Sequence, residues 1–249
     1  MEVPMEKRRF YCEVIIKPVC ELSGTEARHA VSVLRLKQGD QVEIFDGRGE
    51  FARAIIKDIS DKKVILEILN IQVVEQSKNQ RIIIAVSIAK GERFDWLIEK
   101  CTEFGIDRIC PVLFERTVKF ATGTQTIQRW HNLSISAAKQ SGLNFLPLID
   151  NPAPLSDILK KFKMDYPSSD LLLGQPDMNA VSIMKFSLSE KDVIALIGPE
   201  GGLNASEQQF CFEGGAISVK ITDSVLRVET AAISFASILA TMRSGLKKF

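Results

Sequence analysis

Histidine and cysteine are scarce in this chain of 249 residues: two histidines, His29 and His131, and five cysteines with no C-x-x-C spacing. A zinc site wants clustered cysteine and histidine, and a secreted disulfide framework wants an even count in a short chain, so neither is expected and no metal site is assigned. Two histidines, neither beside a G-x-S-x-G elbow, leave no basis for a nucleophilic triad. Long apolar runs are absent as well. The longest, Ile82–Ala89 and Ala231–Met242, fall short of a bilayer span of roughly 20 residues. No secretory h-region follows the charged N-terminal stretch, so a cytoplasmic protein with no membrane partner is expected. Excess charge is missing too, because 32 Lys+Arg meet 31 Asp+Glu. With 45% hydrophobic residues this excludes a disordered chain and a uniformly basic nucleic-acid binder.

What is present falls into two regions. Up to Glu75 the chain is β-rich. Arg9–Ile16, Gln41–Phe45, Phe51–Ile59 and Lys63–Leu69 read as strands, with turn signals at Asp46-Gly47 and Asp61-Lys62. Thr25–Leu36 has helical spacing. The polar stretch Glu75–Gln80 reads as a linker, which places the boundary between a domain of residues 1–75 and one of residues 76–249. From there strands and helices alternate, which predicts a parallel α/β sheet. Ile82–Ala89, Ile109–Phe114, Leu171–Leu173, Val193–Ile197 and Ile217–Ile221 are the strands. Glu92–Phe104, Gln128–Ser141, Leu155–Phe162, a segment capped by Asn204 through Glu213, and Glu229–Arg243 are the helices. The last has almost no polar face, so it is expected to be buried within the domain or against another subunit.

Chemistry concentrates in two segments. Leu196-Ile-Gly-Pro-Glu-Gly-Gly-Leu203 leaves a buried strand and enters a helix, the place where open α/β sheets bind ligands. Gly198, Gly201 and Gly202 permit close backbone approach, and Glu200 adds a carboxylate; a tight turn with one exposed acid is the plainer reading. No Lys-Ser/Thr follows the glycines, so this is not a P-loop. Gly47-Arg-Gly49 formally begins a dinucleotide fingerprint, but strand residues follow it and a hairpin tip fits better. Val225-Leu-Arg-Val-Glu-Thr-Ala-Ala232 carries Arg227 and Glu229 at a helix start, either as a functional pair or as a simple dipole-complementing one. On the helix after Lys90, the face with Glu99, Lys100 and Glu103 reads as solvated and salt-bridged.

Taken in order, Arg8-Arg9-Phe10, Val33-Leu-Arg-Leu36, Phe45-Asp-Gly-Arg48, Lys90-Gly, Glu99-Lys100, Thr102-Glu103-Phe-Gly105, Glu115-Arg116, Arg129-Trp130 and Ala137-Ala-Lys-Gln-Ser-Gly142 form a recognisable series. Ile197-Gly-Pro-Glu-Gly-Gly202 and Leu226-Arg-Val-Glu-Thr-Ala231 complete it. The series resembles the RsmE family, bacterial 16S ribosomal RNA uridine-N3 methyltransferases of the SPOUT superfamily, over essentially the whole chain. The resemblance implies an α/β fold of the SPOUT type, with a trefoil knot, preceded by a small PUA-like β-barrel domain. It implies a homodimer that uses S-adenosyl-L-methionine to methylate 16S rRNA within the small ribosomal subunit. Carried over by motif, Leu173, Gly174, Ile197, Gly198, Pro199, Glu200, Gly201, Gly202, Leu226, Glu229, Thr230 and Ala231 would hold the cofactor. Arg227 and Glu229 would act in catalysis, with Glu200 the other candidate proton acceptor. Lys7, Arg8, Arg9, Arg35, Arg48 and Arg116 are the candidates for RNA contact. Thr222, where glycine is usual, and Ser136, Lys139 and Leu143 depart from the family pattern. The rival readings are a related SPOUT methyltransferase acting on another rRNA or tRNA nucleotide, and a non-catalytic RNA-binding assembly factor.

Overall fold

The computed structural model describes residues 8–60, 63–76, 80–117, 123–177 and 179–246. It divides into two compact units, residues 1–76 with 135–146, and residues 77–134 with 147–249.

In the first unit alternating burial makes a sheet. The strands are β1 (Arg9–Tyr11), β2 (Val19–Ser23), β3 (Gln41–Phe45), β4 (Glu50–Ile59) and β5 (Lys63–Val73), in the order β1-β3-β4-β5-β2. Only the β1–β3 pair is parallel. The inward set, including Phe10, Leu22, Ile44, Ala54, Ile56 and Leu66, forms one core, as period-two patterning requires. β4 carries register shifts at Arg53/Ala54 and Ile56/Asp58, which bend a long strand around that core. The Gly47–Gly49 segment is the β3–β4 connection, with φ of 74° and 106° at its glycines. Asp46 fixes this turn by accepting from the Arg48 and Glu50 amides at 2.7 and 3.0 Å.

Two sequence expectations change here. The strand expected over Arg9–Ile16 ends at Tyr11, because the chain turns at once to bring Cys12 and Cys20 together, their sulfurs 3.7 Å apart. The helix expected over Thr25–Leu36 is instead α1 (Gly24–Arg28) followed by a π-helical turn at His29–Val33, and it stops before Arg35, whose φ is +52°. The expected turn at Asp61-Lys62 lies outside the described residues.

In the second unit the strands are β6 (Ile82–Ser87), β7 (Arg108–Leu113), β8 (Leu148–Ile149), β9 (Ala153–Pro154), β10 (Asp170–Gly174), β11 (Val181–Ser182), β12 (Val193–Ile197) and β13 (Ile217–Lys220). Every pairing is parallel, in the order β11-β13-β10-β12-β6-β7-β8, with β9 beside β7. The helices are α2 (Glu92–Glu103), α3 (Thr124–Ser141), α4 (Leu155–Asp165), α5 (Ala205–Glu213) and α6 (Val228–Leu246). β6 shows why its sequence is a continuous apolar run. Ile82, Ile84 and Val86 enter one core with α2 and α6, whereas Ile83 and Ala85 enter the opposite core with α4. Each fully buried isoleucine in such a layer contributes about 1.5–3 kcal/mol.

α3 begins at Thr124, four residues before the expected start, and residues 135–146 at its end belong to the first unit. There Lys139 pairs with Glu26 at 2.8 Å, and Leu146 donates its amide to Gly47 at 2.9 Å. Phe104, expected on the buried stripe of α2, is 37% exposed, because the helix ends at Glu103 and Gly105 turns the chain away. α6 buries Ala232, Phe235, Ala236 and Leu239, but leaves Ile233, Ile238, Ala240 and Met242 partly open.

Candidate functional site

Parallel strands end together, so the loops that follow β10, β12 and β13 share one edge of the sheet. They enclose a cleft of about 320 Å³ within the second unit. Gly174 to Asp177 form one wall, Ile197 to Glu200 with Gly202, Leu203 and Gln208 a second, and Val219 to Thr222 with Ser224, Val225 and Leu226 a third. Val228, Ala231 and Phe235 from α6 close it.

Two glycines are dictated by close packing. A Cβ on Gly174 would stand 2.6 Å from the Phe235 ring, and one on Gly198 would stand 2.2 Å from Leu203 Cδ1. Gly202 is required for another reason, its φ of +69°, which only glycine adopts freely. The amide of Gly202 donates to Pro199 O at 2.8 Å, closing the turn. α5 then starts at a complete capping box: Asn204 accepts from the Glu207 amide at 2.7 Å, and Glu207 accepts from the Asn204 amide at 3.0 Å.

The cleft mixes apolar wall with a few polar groups, the composition expected of a small-molecule site. Asp177 and Glu200 give it negative charge. Lys220 is tied to Asp223 at 2.7 Å, and that hydrogen bond holds the Asp223 carboxyl below the usual range.

Of the residues expected at a cofactor, Gly174, Ile197, Gly198, Pro199, Glu200, Gly202, Leu226 and Ala231 line this cleft. Leu173 is wholly buried in the core behind it, Gly201 sits at the turn, and Thr230 is exposed. Arg227 is exposed on the approach to α6, its carbonyl accepting from the Ala231 amide at 2.9 Å. Glu229 departs from expectation. It is 4% exposed, its Oε1 stands 3.8 Å from Arg93 Nε on α2, and it is not part of the cleft wall. Its Oε2 has no hydrogen-bond partner among the described residues.

The residues missed in the sequence are Gln175–Asp177, Gln208, Val219–Ile221, Ser224 and Phe235, while Leu203, Val225 and Val228 lay within the two segments singled out but were not named as cofactor contacts. Thr222, noted only as a departure, is in the cleft wall, and its hydroxyl accepts from the Ser224 amide at 3.4 Å.

The arginines considered for RNA have unequal surroundings. Arg9 is 6% exposed, pairs with Glu43 at 3.1 Å, bonds to Asn144 and stacks 4.4 Å from the Phe45 ring centre. Burial lowers its pKa, against the charge of Glu43, and the guanidinium is spent inside its own unit. Arg8 pairs with Asp40 at 3.1 Å. Arg48 is largely exposed, although it reaches Asp46 and the Glu13 carbonyl. Arg35 is exposed, and Arg116 donates to the Gly201 carbonyl at 2.6 Å. Lys7 lies outside the described residues. Of the departures from pattern, Ser136 is exposed. The Lys100–Glu103 pair, at 2.7 Å, is the surface salt bridge expected on α2.

Among the described residues no group of three or more His, Cys, Asp or Glu is arranged to hold a metal, and no helix is long and apolar enough to cross a membrane.

Comparison with known proteins gives the family. A family model described as an RNA methyltransferase domain matches residues 76–240, and one described as an RNA methyltransferase PUA domain matches residues 22–69. The chain is 31% identical over 225 residues to the ribosomal RNA small subunit methyltransferase E of Rickettsia conorii, covering 86% of each. It is 25% identical to the protein of that name from Bacillus subtilis, covering 87% of each. Among solved structures, a putative methyltransferase from Legionella pneumophila in complex with bound SAM matches at a TM-score of 0.84 and 29% identity, covering 94% of this chain and 97% of that one. A ribosomal RNA small subunit methyltransferase E from Neisseria gonorrhoeae bound to S-adenosyl methionine matches at a TM-score of 0.84 and 26% identity, with the same coverage.

Proposed function

The chain belongs to the RNA methyltransferase family, and from that premise we propose that it methylates N3 of a specific uridine in 16S rRNA, using S-adenosyl-L-methionine. Its fold is the SPOUT type of α/β domain preceded by a PUA-like domain. The observation that carries the reading is the meeting of the Gly198–Gly202 turn with the Leu226–Ala231 helix start in one cleft.

That cleft suits the cofactor. Gly174 and Gly198 keep its floor free of side chains, since a Cβ at either place would collide with its neighbours. Ile197, Leu226, Val228 and Ala231 offer apolar wall to the adenine, and Asp177 and Glu200 offer carboxylates to its ribose hydroxyls and cationic groups. When bound, S-adenosylmethionine supplies an electrophilic methyl group. What remains for the protein is to position the base and to manage one proton. N3 of uracil is buried in a Watson–Crick pair, so the base must be unpaired or splayed out to reach the cleft. Arg227, exposed beside the cleft, stabilises the negative charge that develops on a uracil carbonyl oxygen. Glu200, in the cleft wall, is better placed than Glu229 to take the N3 proton, because Glu229 faces Arg93.

The protein acts as a cytoplasmic homodimer on the small ribosomal subunit. Apolar residues of α6 that the domain leaves only partly covered, Ile233, Ile238 and Met242, support the pairing, which sedimentation equilibrium measures directly. Exposed Arg35 and Arg48 supply local RNA contact in a chain without bulk positive charge.

The deciding experiment incubates the protein with methyl-labelled cofactor and unmethylated small subunits, followed by nucleoside analysis. Label in 3-methyluridine of 16S rRNA is expected. Label in another nucleoside overturns the assignment of N3, and no label overturns the enzyme. In single turnover, Arg227→Ala should lower the rate about 100-fold with cofactor affinity retained; an unchanged rate removes Arg227 from the mechanism.

A further inference from the structure

The Glu115-Arg116 pair has no part in the mechanism above, yet it is wired to the glycine turn of the cleft. Arg116 Nη1 donates to the Gly201 carbonyl at 2.6 Å. Its stem lies over the same residue, so that a Cβ on Gly201 would be 3.4 Å from Arg116 Cδ. The neighbouring Glu115 amide donates to Glu207 Oε1 at 2.8 Å, and the Glu115 carboxylate accepts from the Asn204 side chain. The anchor itself is firm. Thr117 Oγ1 accepts from the Phe114 amide at 2.8 Å and lies 3.1 Å from the Ser87 hydroxyl at the end of β6.

The consequence falls on one peptide group. Between Gly201 and Gly202 the carbonyl is held by Arg116, while the amide donates to Pro199 O at 2.8 Å. Both ends of that plane are therefore fixed, in a turn whose glycines give it little stiffness of their own. Gly202 is a cleft residue, so the orientation of this peptide shapes the wall. An ordered turn also spares the ligand the entropy of ordering it on binding.

We propose that Arg116, seconded by Glu115, is a positioning residue that pre-forms the glycine turn for the cofactor, and that it is not an RNA contact. The inference rests on the reading of the cleft as the S-adenosylmethionine site. The substitution Arg116→Met keeps the stem over Gly201 and deletes the donor, whereas Arg116→Lys keeps one donor.

The test is calorimetric titration of the full chain with S-adenosylhomocysteine, alongside small-subunit binding by filter assay and steady-state kinetics. Arg116→Met should weaken S-adenosylhomocysteine about tenfold and raise the cofactor KM in parallel, while kcat stays within twofold. Arg116→Lys should recover most of the loss, and Glu115→Ala should cost about threefold. Affinity for small subunits should be unchanged in all three. If wild type binds and Arg116→Met binds equally well, the clamp is refuted while the cofactor site stands. If small-subunit affinity falls and S-adenosylhomocysteine affinity does not, Arg116 is an RNA contact and the clamp is wrong. If wild type itself binds no S-adenosylhomocysteine, the cofactor reading fails and takes the clamp with it.

Discussion

Gly174→Ala tests the cleft floor at the level of single atoms. The added methyl would lie 2.6 Å from Phe235 Cε2 and 3.0 Å from Cζ. Carbon atoms pack best at about 3.5–4.0 Å, so the overlap is roughly 1 Å. The ring has little room to retreat: Phe235 is 2% exposed, and its neighbours on the same stripe of α6, Ala232, Ala236 and Leu239, are fully buried. Overpacking of this kind costs about 1–3 kcal/mol. The loss of a glycine returns about 0.4–1 kcal/mol through the unfolded chain. A net destabilisation of about 1–2 kcal/mol follows, which for a chain of this size lowers Tm by about 2–8 °C. Both partners line the cleft, so S-adenosylhomocysteine affinity should fall with stability. Scanning calorimetry and titration measure the two effects. Combining the change with Phe235→Leu should recover stability in a double-mutant cycle, with a coupling of about 1 kcal/mol or more. A Gly174→Ala protein that melts at or above the wild-type temperature and binds as well would refute the packing argument.

Other parts of the structure give sharper contrasts. Arg108 and Asp150 form a two-point ion pair at 2.8 and 3.0 Å, with both side chains largely buried. Burial pushes the Asp150 carboxyl up, but hydrogen bonds from Arg108 and Cys110 outweigh it and hold the group below its ordinary value. A depressed carboxylate stabilises the fold above its unfolded pKa, and that stability is lost as pH falls through the folded value. Urea titrations from pH 7 to pH 3 should show a decline beginning near the ordinary value of about 4. Asp150→Asn should flatten that decline and cost about 3 kcal/mol at pH 7, and a parallel curve would count against it. Asn204→Ala removes the α5 capping box and should cost about 1 kcal/mol by chemical denaturation, with an unchanged midpoint as the contrary result. All five cysteines are buried, and burial with the neighbouring Cys20 pushes the Cys12 thiol up to about 12. Iodoacetamide at pH 8 should therefore leave the native chain unmodified by mass spectrometry and label every cysteine after denaturation; a native adduct at Cys12 contradicts this.

The sequence made the strong periodic elements legible. Val193–Ile197 appears as expected, and Ile82–Ala89 was overrun by only two residues, since an apolar strand covered on both faces leaves few alternatives. α5 was placed from Asn204 alone, because a side-chain cap is a local interaction that spacing can encode. Local signals failed where tertiary contact decides. Thr25–Leu36 has helical spacing, yet Ala27 and Ala30 are held in one core through a change of helical pitch that no apolar period announces. Gln128–Ser141 read as one helix, and nothing in it marked that residues 135–146 would join the first unit.

The cleft divides along the same line. Its glycine turn and the start of α6 carry composition unusual enough to be noticed. Gln175–Asp177 and Val219–Ile221 carry none, since their role comes from a sheet order that sets β10 between β12 and β13. Strand order is a property of the whole chain, and a wall built by it is invisible in any short window. Glu229 shows the converse. Its motif put a carboxylate at the helix start, but sequence alone gives no direction to a side chain on the first turn, and packing against α2 turned it toward Arg93. A carboxylate buried there with one oxygen unpartnered is costly unless it meets a donor or the helix dipole. Glu229 is the second residue of α6, in the first turn, where an acidic side chain complements the helix dipole.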